Sequence, residues 1–300
     1  MVPGSAPRLR VLVAGASGFI GSELCRQLAA AGHTVVRLVR REASNDDEAH
    51  WSPRDAYVDA AAIESADAVI NLAGATTGRI PWTRGYKREI LRSRINGTTT
   101  LADAIAAATN PPRVFLNGSA VGYYGDRPGA VLDETSAKGE GFLSDVVDAW
   151  ELAARLTPPT TRLVLFRTGL VVGRGGAFTP LIPLTRFGLG ARMGSGRQNW
   201  PWIALYDEAA AIRHLLTSSL DGVVNLAAPT PATSDQVTRS LARALKRWHP
   251  LVIPTFALRL LGDAGKDLLL TSENVSPTRL LEDGFRFRYE TIAAAIDAMI

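Results

Sequence analysis

Residues 9–31, LRVLVAGASGFIGSELCRQLAAA, contain the strongest signal for the fold of this protein. Its first part, Leu9–Ala14, is a short apolar run that predicts a buried strand, and Ser22–Ala31 has the apolar spacing of a helix. Between the two, glycine recurs at positions 15, 18 and 21. A strand, a tight glycine turn and a helix in this order predict a βαβ unit that binds a dinucleotide.

Each glycine of this turn has a physical role. Gly15 permits the sharp turn out of the strand, Gly18 lets backbone approach a pyrophosphate, and Gly21 lets the helix pack closely on the sheet. The free N–H groups and the positive dipole of the helix N-terminus favour phosphates. A glycine turn without a ligand is the alternative. The predicted cofactor contacts in the turn are Gly15, Ser17, Gly18, Phe19, Ile20 and Gly21.

The end of the second predicted strand, Thr34–Val39, indicates which dinucleotide is bound. Proteins that bind NAD place an acid there to hold the ribose 2′-OH. In this chain Arg40 and Arg41 follow the strand instead, and a guanidinium binds a 2′-phosphate with a planar fork of donors. The pattern predicts NADP(H), with Arg40 as the first choice and Arg41 as the second. The alternative is a solvated strand end.

Short apolar strands alternate with longer helices through the first part of the chain, which predicts a doubly wound α/β fold with a parallel sheet. After Gly173 the segment Arg174–Trp202 is rich in Gly, Pro, Arg and aromatic residues and predicts loop with a short helix. We therefore expect a disordered lead-in (1–8), a dinucleotide-binding Rossmann-type domain (9–173) and a smaller substrate-type lobe (174–300), whose strands could return to the main sheet. The other predicted strands are Asp67–Leu72, Arg113–Leu116, Arg162–Arg167 and Gly222–Leu226, and the other helices are Ile90–Ala108, Ser144–Leu156, Asp207–Leu216 and Ser234–Leu245, with Thr233 or Ser234 as the N-cap of the last.

Composition excludes several classes of protein. The charges are 33 basic and 29 acidic residues without a clustered basic stripe, so nucleic acid is not an expected partner. No apolar stretch approaches the roughly 18 residues of a membrane helix, and we expect no membrane partner. A single cysteine, Cys25, and the lack of a signal peptide predict a cytoplasmic protein. The four histidines are scattered, so no metal site is expected.

Further motifs make the chain resemble the extended short-chain dehydrogenase/reductases. Asn71-Leu72-Ala73-Gly74 is similar to that superfamily's N-x-A-G element, and Asn96-Gly97-Thr98 is similar to its N-x-x-G-T region with shortened spacing. Ser119 follows a predicted strand where the superfamily keeps its catalytic serine. The resemblance adds Leu72, Ala73, Gly74, Asn96, Thr168 and Gly169 to the expected cofactor contacts.

A narrower resemblance, covering roughly residues 9–298, is to the atypical epimerase-like subfamily of those enzymes, whose substrates are not settled. Its C-terminal domain of unknown function resembles this chain from about residue 247 to 300. The segments that carry the resemblance are Trp82…Lys87…Ser93-Arg94-Ile95, Ser119–Gly125, Trp150-Glu151, Arg167-Thr168-Gly169, Gly188-Leu189-Gly190 and Gly194–Gln198 followed by Pro201-Trp202-Ile203.

Ordinary members of the superfamily place a tyrosine and a lysine four residues apart on one helix, so that both face the nicotinamide. None of the six tyrosines here is followed by lysine at that spacing, and the chain has only four lysines. In the expected helix, Phe142 and Val146 are plausible replacements, and neither transfers a proton. The remaining candidates for catalysis are Ser119, Tyr123 and Tyr124, each of which could instead be structural.

Arg197 and Trp202, in the Gly-rich segment, are the predicted substrate contacts, because an arginine beside aromatic rings suits a planar or anionic substrate. A lid that packs on its own aromatic residues is the alternative. Asp207 matches a structural element of the family. The sequence as a whole predicts an NADP(H)-binding oxidoreductase or nucleotide-sugar-epimerase-like protein that acts on a small molecule. A homodimer is the assembly that we consider for it. The alternative is a non-catalytic NADPH-binding regulator or scaffold.

Overall fold

A computed structural model describes residues 8–300, so the expected lead-in lies outside the described residues except for Arg8. An eight-stranded sheet in the order β12-β8-β6-β5-β1-β2-β3-β4 organises the fold, and only β4 runs antiparallel to its neighbour. This confirms the predicted α/β class. Its strands are β1 (Arg10–Ala14), β2 (Thr34–Val39), β3 (Glu48–Ser52), β4 (Tyr57–Val58), β5 (Ala68–Asn71), β6 (Val114–Ala120), β8 (Arg162–Thr168) and β12 (Gly222–Leu226).

Helices cover both faces of this sheet, and strand alternation decides which side chains meet them. Val11 and Val13 pack with Leu24 of the first helix, whereas Leu12 packs on the other face with Leu101. No helix in residues 8–300 combines the length and the hydrophobicity needed to cross a membrane. The helices are α1 (Phe19–Ala30), α2 (Ala60–Glu64), α3 (Arg84–Ala107), α4 (Phe142–Ala154), α5 (Phe178–Arg186), α6 (Leu205–Leu215), α7 (Ser234–Ala244), α8 (Thr255–Arg259), α9 (Asp263–Gly265), α10 (Thr278–Glu282) and α11 (Ile292–Met299), with a 3₁₀ turn at Val121–Tyr124 and a π turn at Lys266–Leu270.

Several segments after Gly173 pack around a second core, in which Trp200 and Trp202 pack with Val237, Leu241 and Ile296, and we call this part of the chain the lobe. This part of the chain also returns to the main sheet, because β12 pairs with β8. Three pairs of short parallel strands complete the fold: β9 (Leu170–Val172) with β11 (Trp202–Ala204), β10 (Ala191–Met193) with β13 (Leu251–Ile253), and β7 (Val131–Leu132) with β14 (Asn274–Val275).

Several predicted boundaries were wrong for identifiable reasons. The stretch 40–53 contains strand β3, whose buried residues Ala49 and Trp51 alternate with polar ones, so composition concealed it. Helix α3 begins at Arg84 rather than Ile90, because Thr83 caps it by accepting from the Tyr86 N–H. The segment Arg174–Trp202 includes strand β10 besides its helix. Strand β6 continues through Ser119, which therefore lies in the sheet and not after it.

The order of the strands determines where a ligand can bind. The chain passes from β1 to β2 on one side and then returns to β5 on the other side of β1. In such sheets the crevice at the carboxyl ends of the strands, at this reversal, is the binding site. The glycine turn follows β1 directly, so it lies at that crevice.

Candidate functional site

A cleft of about 1180 Å³ opens at the carboxyl ends of β1, β2 and β5. It runs from the glycine turn to the arginines that follow β2, and helix α3 closes one side with Glu89, Ser93 and Asn96. Nine of the predicted cofactor contacts line this cleft: Gly15, Ser17, Gly18, Arg40, Arg41, Leu72, Ala73, Gly74 and Asn96.

The glycine turn has the close packing that its sequence predicts. Gly15 has a φ of +78°, and a Cβ on it would lie 2.8 Å from the backbone of Leu72. A Cβ on Gly21 would lie 2.2 Å from the Gly15 carbonyl oxygen. The Gly18 N–H donates to that same oxygen at 2.9 Å, and helix α1 begins at the next residue. The turn therefore tolerates only glycine at positions 15 and 21.

The two arginines after β2 differ in their surroundings. Arg41 donates to both carboxylate oxygens of Glu48, at 2.8 and 2.7 Å, and these bonds lower the pKa of Glu48 to about 2. Arg40 is exposed and has no salt-bridge partner among residues 8–300. Its guanidinium is therefore free to meet an anion, whereas the charge of Arg41 is already balanced.

Two further arginines at this end of the cleft were missed by the sequence interpretation. Arg37 points from β2 and Arg54 follows β3, and both are exposed and line the cleft. Arg54 could not be assigned because β3 was not predicted. The alternation of β2 gave a signal for Arg37, which stands between the buried residues Val36 and Leu38.

A buried polar network lies beneath the turn that follows β5. Asn71 accepts from the Ala73 N–H at 3.1 Å and donates to Asn117 at 2.8 Å. Thr98 donates to the same Asn117 oxygen at 3.1 Å and accepts from the Trp150 indole at 2.8 Å. These bonds join β5, β6, α3 and α4, so they hold the Leu72–Gly74 wall of the cleft in place.

Helix α3 supports the same wall from above. The Ser93 hydroxyl accepts from the Ala75 N–H at 2.9 Å, and Arg94 donates to the Ala75 carbonyl at 3.0 Å. Burial lowers the pKa of Arg94 to about 10. Both residues belong to the Ser-Arg-Ile segment that carried the family resemblance, which is the signal that could have assigned them this supporting role.

Five predicted cofactor contacts do not line the cleft, and packing explains the positions of Phe19 and Gly169. Phe19 lies against Gly173, Gly175 and Gly176, where a Cβ would approach its ring to 2.5–3.5 Å. Gly169 fits against the Pro201 carbonyl, which a Cβ would approach to 2.5 Å. The five residues are Phe19, Ile20, Gly21, Thr168 and Gly169.

Thr168, at the end of β8, donates its hydroxyl to Glu208 at 2.7 Å. Glu208 is completely buried, and its other carboxylate oxygen has no partner among the described residues. Burial raises the pKa of Glu208 to about 8, so the side chain is largely protonated at neutral pH. A neutral glutamic acid therefore supports the carboxyl end of β8.

Ser119 faces a buried ion pair and not the cleft. Its hydroxyl donates to Glu151 at 2.6 Å. Arg167 donates to both oxygens of the same carboxylate, at 2.8 and 2.9 Å, and all three side chains are buried. Because the single O–H of Ser119 is already donated, this arrangement leaves it no proton for a substrate carbonyl.

The two tyrosines of the 3₁₀ turn occupy different environments. The Tyr124 hydroxyl is buried and donates to Asn225 at 2.7 Å, and burial raises the Tyr124 pKa to about 12. Tyr123 is partly exposed, and its ring lies 3.5 Å from the Arg167 guanidinium carbon. Its hydroxyl makes no hydrogen bond within residues 8–300, so it differs from Ser119 and Tyr124 in having a proton to donate.

An apolar cluster fills the region where the tyrosine–lysine pair was expected. Val146 packs with Trp82, Tyr86, Ile90 and Ala264, and Phe142 packs against this cluster. The Phe142 ring contacts Trp82 edge-on with 5.4 Å between centroids. The ammonium of Lys87 lies 4.7 Å from the Phe142 ring centroid and pairs with Asp263. Lys87 thus lies between this cluster and an acid of the lobe.

The two predicted substrate contacts, Arg197 and Trp202, lie in different environments. Trp202 is 1% exposed and its indole donates to the Thr230 carbonyl at 3.0 Å, so it belongs to the lobe core and has no surface for a substrate. Arg197 is exposed and lines a cavity of about 580 Å³ with Arg259 and Lys266. Asp207 is structural, as predicted: it accepts from the Arg288 and Tyr289 N–H groups at 2.8 and 2.9 Å.

Comparison with known protein families gives two matches that together cover most of the chain. Residues 11–227 match the model of the NAD dependent epimerase/dehydratase family. Residues 253–299 match DUF1731, a domain of unknown function. The second match begins a few residues after the boundary expected at about residue 247.

Two relatives match over almost their whole length, and a third matches over part of its length. Epimerase family protein ML0860 of Mycobacterium leprae is 40% identical over 293 residues, which cover 95% of this chain and 94% of the relative. A crystal structure of human epimerase family protein SDR39U1 (isoform 2) with NADPH is 33% identical, with a TM-score of 0.89 and coverage of 97% and 99%. A nucleoside-diphosphate sugar epimerase from Corynebacterium glutamicum is 30% identical with a TM-score of 0.79, and this chain covers 58% of it.

Proposed function

The chain belongs to the NAD dependent epimerase/dehydratase family, and on that premise we propose that it binds NADP(H) in the cleft beside the glycine turn. The observation that carries the proposal is the group of exposed arginines at one end of the cleft, in which Arg40 lacks an ionic partner among the described residues. A 2′-phosphate is the part of NADPH that such a group recognises. The NADPH bound to the human relative supports the same assignment.

The residues present fit this cofactor. Gly15, Ser17 and Gly18 would face the pyrophosphate at the start of α1, and the turn already excludes any Cβ at positions 15 and 21. Leu72, Ala73 and Gly74 form the opposite wall. In the proposed division of labour, residues 9–173 hold the cofactor and residues 174–300 cover the substrate.

We assign to the protein an oxidoreductase or epimerase-like reaction on a small molecule. The bound nicotinamide supplies hydride chemistry, and the protein supplies position and a proton. Tyr123 is the proposed proton donor, because its hydroxyl makes no hydrogen bond among residues 8–300, while those of Ser119 and Tyr124 donate to Glu151 and Asn225. Tyr123 also lies beside the first turn of α4, where the Ser144 hydroxyl donates to its carbonyl at 2.8 Å.

The substrate proposed for this reaction carries an anionic group. Arg197, Arg259 and Lys266 line one cavity of the lobe and have no salt-bridge partner among residues 8–300. Of the two acids at the cavity, Asp263 is paired with Lys87. A phosphate or carboxylate would therefore find unbalanced positive charge there.

A second candidate function is binding of NADPH without turnover, as a regulator or scaffold. The apolar cluster around Phe142 and Val146 favours this alternative, because it places packing where ordinary relatives place proton transfer. Both candidates require the cofactor, so they are separated by a turnover measurement and not by a binding measurement.

The cofactor assignment is tested with Arg40→Ala. NADPH affinity should fall by about 10- to 100-fold, and NADH affinity should change by less than about threefold, because only NADPH carries the 2′-phosphate. Calorimetric titration gives both constants. Arg113→Ala, at an exposed arginine before β6, is the matched control and should change neither. Equal losses of NADPH and NADH in Arg40→Ala would reject the 2′-phosphate role.

The reaction is tested by following NADPH oxidation with a broad library of carbonyl compounds. Turnover that is abolished in Tyr123→Phe, with NADPH affinity unchanged, would support the assigned proton donor. Turnover that survives in Tyr123→Phe would remove Tyr123 from the mechanism. Tight NADPH binding with no turnover across the library would favour the regulator or scaffold.

A further inference from the structure

Exposed apolar side chains are concentrated on one surface of the lobe. Of the fifteen large hydrophobic residues that are exposed within residues 8–300, nine come from residues 184–189 and 248–261. The first segment, which ends α5 and follows it, contributes Leu184, Phe187 and Leu189. Monomeric proteins rarely leave a contiguous apolar surface of this kind without an interaction.

The second segment adds the larger part of this surface. It runs from the loop after α7 through β13 and α8. We call the surface formed by the nine residues of both segments the lobe patch. Trp248 is 86% exposed, Leu260 is 83% exposed and Phe256 is 70% exposed. The six residues of this segment are Trp248, Leu251, Val252, Phe256, Leu260 and Leu261.

Hydrogen bonds join the two segments into one surface. Strand β10, which follows Leu189 closely, pairs with β13 in parallel register, with Ala191 opposite Leu251. The Arg247 guanidinium donates to the Arg186 carbonyl at 2.7 Å. Leu258 of α8 is buried in the lobe core, so that helix is anchored while Phe256 and Leu260 remain outside.

The two segments that form the lobe patch carry basic residues and no acidic ones. Residues 174–206 and 236–262 contain no Asp or Glu. Arg186, Lys246, Arg247 and Arg259 lie within or beside the apolar residues, and all four are exposed. A second copy of this chain would bring the same cations against each other in a two-fold contact, so self-association through this surface is disfavoured. The complementary partner is both anionic and apolar.

We propose that the lobe patch is a peripheral membrane-binding surface for bilayers that contain anionic phospholipid. Phe, Leu and especially Trp side chains are suited to the interface between headgroups and acyl chains, while Arg and Lys meet the phosphates. The absence of a spanning segment in the sequence led us to expect no membrane partner, but peripheral contact needs only an exposed surface. The inference does not depend on the proposed reaction.

The position of one tryptophan provides a direct test. Trp248 is exposed, whereas the other five tryptophans, Trp51, Trp82, Trp150, Trp200 and Trp202, are buried. When the full chain is mixed with vesicles of phosphatidylglycerol in phosphatidylcholine, Trp248 fluorescence should shift to the blue and be quenched by brominated acyl chains. The signal should disappear in Trp248→Phe, while co-sedimentation with the vesicles remains.

Co-sedimentation of variants then separates the apolar and the charged contributions. Phe256→Ser/Leu260→Ser should lower partitioning into anionic vesicles by more than about tenfold, and Arg186→Gln/Lys246→Gln should lower it by about tenfold. Leu152→Ser and Arg113→Gln, at exposed positions outside the patch, are the matched controls and should bind as the unaltered chain does. Circular dichroism verifies that each variant is folded.

Three results would overturn the proposal. The first is absence of binding to anionic vesicles, and the second is equal binding to pure phosphatidylcholine, which would remove the role of charge. The third is a dimer in sedimentation equilibrium that dissociates in Phe256→Ser/Leu260→Ser, because the patch would then be covered by a second copy. Reversal of vesicle binding at high ionic strength would support the proposal.

Discussion

The arginine-lined end of the cleft and the start of α4 differ in polarity and in exposure to solvent. The first is open and polar, with Arg37, Arg40 and Arg54 exposed to solvent. The second is an apolar cluster in which Val146 is 2% exposed and Phe142 packs on Trp82. This chain therefore keeps the side chains that recognise a cofactor, whereas apolar packing stands where ordinary relatives have the tyrosine–lysine pair.

The largest expected effect comes from placing a charge in the apolar cluster. Val146→Lys should lower the free energy of unfolding by about 3 kcal/mol or more, because an ammonium at this buried position loses its hydration. Urea denaturation measures the change. Phe142→Tyr is the control and should cost less than about 1 kcal/mol, since this ring is partly exposed. A Val146→Lys protein as stable as the unaltered chain would mean that the site still accommodates the family's lysine.

The next effect concerns the cleft. Gly21→Ala should destabilise the fold by about 2–3 kcal/mol and weaken NADPH binding by more than about tenfold, since the added Cβ meets the Gly15 carbonyl at 2.2 Å. Thermal unfolding and calorimetric titration measure the two changes. Gly32→Ala is the matched control: it has a φ of +84° but open space around it, so it should cost about 1 kcal/mol and leave NADPH affinity unchanged.

A pH effect is expected at the carboxyl end of β8, where Thr168 donates to the buried Glu208. Burial raises the pKa of Glu208 from its ordinary value of 4.5 to about 8, so the folded protein holds a proton that the unfolded chain releases above pH 4.5. Stability should therefore fall as the pH rises from about 5 to 8.

Glu208→Gln removes this titration while it keeps an oxygen that can accept from Thr168. The loss of unfolding free energy between pH 5 and pH 8 should become smaller by more than about 1.4 kcal/mol, the value of one pKa unit. Denaturation series at both pH values measure it. Glu282→Gln, at an exposed glutamate, should leave the pH dependence as it was. An unchanged pH dependence in Glu208→Gln would show that Glu208 is ionised in the fold.

The smallest expected effect concerns the ion pair between Glu48 and Arg41 at the arginine end of the cleft. Glu48→Gln should strengthen NADPH binding by about threefold, because it removes a carboxylate from the cleft and releases Arg41. NADH binding should stay the same. The gain should vanish in the double variant Arg41→Gln/Glu48→Gln. Tighter binding of both cofactors in Glu48→Gln would mean that Arg41 does not act through the 2′-phosphate.

Some of the site could be predicted because its signals are local. Glycine at positions 15, 18 and 21 can be recognised between a strand and a helix. The arginines after β2 can be recognised because they directly follow the second strand of the same βαβ unit. The absence of a tyrosine–lysine pair could also be predicted from the sequence, since the two residues would lie four positions apart on one helix. The missed residues, such as Arg54, depended on a strand whose residues are mostly polar.

The roles of the three catalytic candidates could not be read in this way. Ser119 and Glu151 are 32 residues apart, and Tyr124 and Asn225 are 101 residues apart. Which hydroxyl donates its proton inside the protein, and which remains free, depends on these distant partners. The same holds for Trp202. Its aromatic side chain suited a substrate contact in the sequence, but in the structure it is buried in the lobe core.

The doubly wound fold, the glycine turn and the arginines at the second strand could be predicted from the amino-acid sequence, because backbone sterics and side-chain alternation act over a few residues. The folded structure was needed to establish that Arg41 is paired while Arg40 has no salt-bridge partner among residues 8–300, that Tyr123 alone of the three candidates keeps an unbonded hydroxyl among the described residues, and that exposed apolar side chains of the lobe lie beside exposed arginines. Burial and hydrogen bonding depend on which distant residues meet, and that is settled when the chain folds.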